Sequence, residues 1–193
     1  MRTLLLRARN SGRWLLVFIL WGSLAGSTLE AQFGLITREE ALASAFPDST
    51  SVADERIFLT DEQAERIEAI SRVDLSGKLF ARYVVSRNGM VVGRSYIDTH
   101  QVRTKKESLL VSLDASGRVQ RIDVTVFLEP PEFIAGPSWM RQFYDKPLDR
   151  DLAIQRAIRP IAGATLTAYA VSESVRRVMA MDQVLTADME TTP

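Results

Sequence analysis

Gly163-Ala-Thr-Leu-Thr167 places two hydroxyls directly after a glycine, where a helix-like apolar run begins. The start of a helix presents unpaired N–H groups and the positive end of the dipole, so an anion is stabilised there. Gly163 lets the backbone turn and approach a ligand closely. Ala162 and Ala164 keep the neighbourhood free of bulk, and Leu166 separates the two threonines. Two readings follow from these residues alone: Thr165 or Thr167 caps the helix, or one of them seats a phosphate, held or esterified. Arg159 stands just upstream, before Pro160. Its guanidinium is either a phosphate partner or a solvated side chain.

Other chemistry is sparse. There is no cysteine, which excludes disulfides, thiolate metal sites, iron–sulfur clusters and c-type haem attachment. His100 is the only histidine, so a His-rich metal centre is excluded as well. Asp149 and Asp151 bracket Arg150 without further acids nearby and make a poor metal site. Formal charge is zero with no basic run after the leader, so nucleic acid is not an expected partner. No general acid–base set is visible, and no catalytic residue or metal ligand is assigned.

The elements that must position these residues begin after residue 31. Before it, Arg2, Arg7, Arg9 and Arg13 precede the apolar run Trp14 to Gly26 and a small-residue stretch to Ala31. A basic region, a short apolar run and small residues make an export signal, or an anchor if uncleaved. The run is shorter than the roughly twenty apolar residues of a membrane span. Without an arginine pair, export would proceed unfolded, and any cofactor would be loaded after crossing.

Residues 37–46 read as a helix with a Thr37–Glu40 capping box, ended by Pro47. Val52 to Leu59 looks extended. Thr60 to Gln63 caps a second helix to about Ser71, with Ala64, Ile67 and Ile70 as its apolar face. Lys78–Ser86 and Met90–Thr99 flank Arg87-Asn88-Gly89, a hairpin; Ser108–Leu113 and Arg118–Leu128 flank a second turn at Asp114 to Gly117. Val119, Ile122, Val124, Val126 and Leu128 describe a half-buried strand. Short helices are expected at Ser138–Phe143 and Asp149–Ala157, and a long one from Thr167 to Leu185, with a Glu173–Arg177 pair. The fold class is α+β: an antiparallel sheet of hairpins with helices on one side. The expected segments are the leader (1–31), an N-terminal lobe (32–77), a main domain (78–185) and a flexible tail (186–193).

Gly163-Ala-Thr-Leu-Thr167 and the helix after it resemble the "(S/T)GAT-x-T" segment of the FMN-binding domain family. That family includes the flavin subunits of Rnf electron-transport complexes and of the sodium-pumping NADH:quinone oxidoreductase. Upstream, the strand Ile122 to Leu128 leading into Glu129-Pro130-Pro131 is similar to the family's strand ending in a Glu-x-Pro turn. Trp139-Met-Arg-Gln-Phe143 with Lys146 is similar to its "W-x-x-Q-F-x-x-K" stretch.

The resemblance implies FMN joined through its phosphate to Thr165 by a separate flavin transferase outside the cytoplasm. Gly163, Ala164, Leu166 and Thr167 would shape the seat, with Ala162 beside it. It further implies electron relay with redox partner proteins or a membrane electron-transport complex. Glu129 would accept from the ring N–H or from backbone amides; His100 would meet the ring edge or phosphate, or be structural. Trp139, Phe143 and Tyr144 would pack the core or stack on the flavin. Two positions depart from the family pattern, Arg159 for an aspartate and Ala162 for a serine or threonine. Arg159 would favour a non-covalently held flavin. The departures also motivate a second reading, a flavin-free accessory subunit of a membrane complex. A periplasmic sensor or ligand-binding module is a third.

Overall fold

A computed structural model describes residues 35–191. The leader expected at 1–31 lies outside the described residues. The chain runs through helix α1 (Arg38–Ala45), strand β1 (Ser51–Phe58), helix α2 (Asp61–Ser71) and strands β2 (Leu79–Arg87), β3 (Met90–Gln101), β4 (Lys106–Asp114) and β5 (Val119–Phe127). A 3-10 turn at Pro131–Phe133, a short helix α3 (Pro137–Met140), a second 3-10 turn at Arg141–Phe143 and the long helix α4 (Thr165–Thr191) complete it. The five strands form one antiparallel sheet in the order β1-β2-β3-β4-β5, so the fold is α+β.

Local chemistry accounts for most of these boundaries. Thr37 Oγ1 accepts from the Glu40 N–H at 3.2 Å, and the Glu40 carboxylate accepts from the Thr37 N–H at 3.1 Å. Thr60 and Gln63 repeat the same box at the start of α2, at 3.1 and 3.0 Å. Between β2 and β3, Asn88 and Gly89 both take positive φ, 52° and 80°. A two-residue turn of that kind matches the twist of the strands it joins. The β4–β5 turn is held by Asp114 Oδ1, which accepts from the Ser116 and Arg118 N–H groups at 2.8 and 2.9 Å.

Two bulges decide which face β5 presents. Leu113 pairs with Val119 while Ser112 pairs with Arg121, leaving Gln120 extra; Leu109 pairs with Val124 while Ser108 pairs with Val126, leaving Thr125 extra. Each extra residue reverses the alternation. Val119, Ile122 and Val124 are therefore buried, whereas Val126 and Leu128, expected on the same face, are exposed.

One face of the sheet carries Tyr96, Leu109, Val111 and Leu113 against Ala168, Val171, Val175 and Val178 of α4, with Ile67 of α2 in the same core. Burying each valine contributes about 1.5–3 kcal/mol. Helices are expected on one side of the sheet, and the other face is packed as well. Ala41, Ala45 and Phe46 of the α1 segment pack on Tyr83, Leu110 and Val85. A Cβ at Gly93 would overlap the Phe46 ring and the Leu113 carbonyl, so that close approach requires glycine.

The extended stretch expected at Val52–Leu59 is the edge strand β1, Ser51–Phe58, and α2 packs on α4. Residues 35–77 thus join the same sheet and core as the main domain. Ile70, counted in the apolar face of α2, is exposed. Asp149–Ala157 is not helical; Asp149 Oδ1 caps the turn by accepting from Asp151 and Leu152 at 2.8 and 3.0 Å, and Ile154 bridges Ile158. Helix α4 begins at Thr165 and continues through Thr191, into the stretch expected as a flexible tail.

Candidate functional site

The start of α4 is set by a turn. The Ala164 N–H donates to the Ile161 carbonyl at 3.2 Å, and Gly163 sits at φ 81°. Positive φ at the third turn position is what glycine supplies without strain. The Ala168 N–H then donates to the Ala164 carbonyl at 3.0 Å, which makes Ala164 the N-cap. Neither threonine caps the helix. Alanine has no side-chain acceptor, so the first-turn N–H groups keep no intrahelical partner.

The two threonines point to different places. Thr165 is exposed, as are Ala162, Gly163 and Leu166, while Ala164 and Thr167 are buried. Nothing lies within 4 Å of where a Cβ on Gly163 would be, so the approach to this turn is open. Thr165 therefore offers a surface hydroxyl beside the positive end of a 27-residue helix.

The segment leading into the turn is latched from α3 and the 3-10 turn that follows it. The Trp139 indole N–H donates to the Arg159 carbonyl at 2.7 Å, and the Arg159 N–H donates to Gln142 Oε1 at 2.9 Å. Trp139 also meets the buried Phe143 ring edge-on, with centroids 5.4 Å apart. The tryptophan–glutamine spacing thus does mechanical work: it fixes the backbone of Arg159 just ahead of Pro160 and the glycine turn. Beside this latch lies an open depression of about 630 Å³ lined by Trp139, Arg141, Tyr144, Lys146 and Arg159 among others. Three cations, two aromatic rings and no carboxylate line it, a combination that attracts anions.

Glu129 and His100 are placed elsewhere. Glu129 Oε1 accepts from the Thr104 and Lys105 N–H groups at 2.8 and 2.9 Å, tying down the β3–β4 connection. Those amide bonds hold its carboxyl below the usual range. Of the two roles expected for Glu129, the amides are the one seen.

The His100 side chain is turned into the fold, with 8% of it exposed. Its Nδ1 meets Asp98 Oδ2 at 2.9 Å and its Nε2 meets Glu107 Oε2 at 3.0 Å. Arg177 of α4 donates to both oxygens of Asp98, at 3.0 and 2.8 Å. Burial opposes charge on the imidazole, but the bonds to Asp98 and Glu107 outweigh it and raise the pKa to about 9. The ring is an imidazolium at neutral pH, and both nitrogens donate. Burial also opposes charge on Asp98, yet His100 and Arg177 hold it well below the carboxylate range. Burial pushes Glu107 up, and its Oε1 is buried without a partner among the described residues. Arg177 lies twelve residues past Thr165, about 18 Å along the helix. His100 therefore joins an internal charge cluster and not the threonine turn.

That cluster, and a second one further along, went unread in the sequence. Asp182 accepts from Arg94 and from the Tyr96 hydroxyl, the latter at 2.8 Å. Arg176 donates to the carbonyls of Ser71, Asp149 and Leu152 at 2.8, 2.6 and 3.1 Å, fastening the end of α2 to the 149–152 turn. Arg177, expected to pair with Glu173, turns inward instead, because Asp98 waits on the buried face of β3. A signal was present. Arg94, Tyr96, Asp98 and His100 alternate along β3, all on the face that meets α4.

Among the described residues no cluster of acids and histidine suits a metal ion, and no helix is long and apolar enough to cross a membrane. Comparison of the chain with protein families, with characterised proteins and with solved structures returns no match.

Proposed function

We propose that this chain is an exported or membrane-anchored electron-transfer protein that carries FMN, with the flavin phosphate joined to the Thr165 hydroxyl. The observation that carries the proposal is the exposed Thr165 at the uncapped start of α4, behind the open turn at Gly163. A phosphate there would take hydrogen bonds from first-turn N–H groups that have no other intrahelical partner. The residues present fit such a group: the hydroxyl is accessible, Gly163 leaves room, and Arg159 and Lys146 line a depression without opposing acids. Trp139 and Gln142 hold the Arg159 backbone in place, so they position the approach to the turn. When bound, the flavin supplies one- or two-electron transfer. A flavin transferase makes the attachment, and redox partner proteins or a membrane electron-transport complex supply and accept the electrons. Residues 1–31 direct the chain to the periplasm or the outer face of the membrane.

A second reading keeps the fold without the cofactor, as an accessory subunit of a membrane complex. Arg159 and Ala162, where the family pattern has an acid and a hydroxyl, favour it. Intact mass of the chain expressed with a flavin transferase separates the two, with Thr165→Val alongside. The expected result is one FMN-sized gain in the parent and none in the variant. Yellow protein without an adduct would leave FMN but move it off the threonine. Colourless protein of unchanged mass would overturn the flavin reading.

A further inference from the structure

Strand β1 forms one border of the sheet, and no described segment pairs with its outer side. The Leu59 N–H donates to the Lys78 carbonyl at 2.9 Å, and β1 keeps the same register with β2 along its length. Antiparallel alternation then directs the odd-numbered residues of β1 toward β2. The N–H and C=O groups of Val52, Asp54, Arg56 and Phe58 face outward. The side chains of these four residues share one sheet face, and all four are exposed. Neither Asp54 nor Arg56 has an ion-pair partner among the described residues, and Phe58 is 75% exposed. An edge of this kind is a template for another strand unless charge or shape forbids it.

We infer that β1 is a self-association edge, pairing antiparallel with β1 of a second copy about a two-fold axis at Glu55. In that register Asp54 faces Arg56 of the second copy, and Arg56 faces its Asp54. Val52 faces Phe58 in the same reciprocal way, as an isologous two-fold contact requires. A slip of two residues in either direction sets Asp54 against Asp54 or Arg56 against Arg56. Opposite charges across strands attract and like charges repel, so the sign order admits one register and disfavours its neighbours. Glu55 meets its counterpart at the axis on the other sheet face. Each carboxylate is already engaged by its own Arg82, at 2.8 Å from Nε and 2.6 Å from Nη2. The product is a ten-stranded sheet continuous through two copies. The inference is independent of flavin.

The charge pattern supplies its own test, read by sedimentation of the full-length chain in mild detergent. The parent should be a dimer. Asp54→Lys and Arg56→Asp should each weaken self-association at least about tenfold, because two attractive pairs become repulsive. Mixed in equal amounts, the two variants should form a one-to-one heterodimer, since Lys then meets Asp and Arg meets Asp. Both sites are exposed, so folding is not at issue. Because the chain has no cysteine, Glu55→Cys offers a second readout. It should cross-link to itself on mild oxidation, while Ser116→Cys at the β4–β5 turn should not. A monomeric parent with no Glu55→Cys cross-link would overturn the inference, as would dimers that persist in both charge variants.

Discussion

At residue 177 of α4 a guanidinium is buried, and two of its nitrogens bond Asp98. Twelve residues earlier, Thr165 stands exposed behind an alanine N-cap. Both stretches carry polar residues on one continuous helix, yet their surroundings differ completely. In the middle of α4, Arg176, Arg177 and Asp182 are each tied to another element, so the helix has a fixed rotation and register on the sheet. At its start, first-turn N–H groups have no intrahelical partner and Thr165 is exposed. A buried polar group must find a partner in the protein or cost stability. An exposed one can wait for a ligand. The contrast teaches where to look for function on this helix: at the end where groups are accessible, and not where the charges are densest.

The largest effect should come from breaking the middle. Asp98→Ala would strand Arg177 and His100 in the core and should cost about 3–5 kcal/mol in urea unfolding. Next comes pH. His100 gains its proton more readily folded than unfolded, so its stabilisation is complete below its ordinary value of 6.5 and is lost as pH rises through about 9. Unfolding midpoints of the parent should fall across that window, and His100→Gln should flatten this dependence. A parent midpoint that does not fall there would mean that His100 is not an imidazolium in this cluster.

Trp139→Phe removes the donor to the Arg159 carbonyl and should cost about 1 kcal/mol. It should also loosen the backbone leading into the Gly163 turn, visible as faster amide exchange at residues 159–164. The smallest effect should be at the start of the helix. Thr165→Val should change stability by no more than about 0.5 kcal/mol, while abolishing any flavin adduct. A large loss of stability in Thr165→Val would erase the contrast between the two stretches, because it would make the threonine structural.

Much of the fold was legible. The capping boxes at Thr37 and Thr60, the Asn88-Gly89 hairpin and the Asp114 turn are short-range devices whose partners lie within a few residues. The start of α4 was legible too, to within two residues. Less legible were features whose partners lie far away in sequence. Arg177 has a surface partner at helical spacing, Glu173, and only the presence of Asp98 across the interface draws it inward. His100 looks like a lone histidine until β4 brings Glu107 opposite it. The Asp149–Ala157 segment has helix-like spacing, but capped turns and the bond from Arg176 to the Asp149 carbonyl hold it open.

What the sequence by itself determined is most of the elements, the absence of cysteine chemistry, and the presence of a small-residue turn with a threonine at the head of the last helix. Those follow from composition and from interactions spanning a few residues, which need no knowledge of the rest of the chain. The tertiary structure alone decided that Ala164 holds the N-cap position, that Thr165 is exposed while Thr167 is buried, and that β1 lies at the border of the sheet with no described segment on its outer side. It also decided that the one histidine lies among carboxylates in the core. Each of those depends on which distant surface a residue meets when the sheet and α4 bury their apolar faces together, and burial is a property of the whole fold.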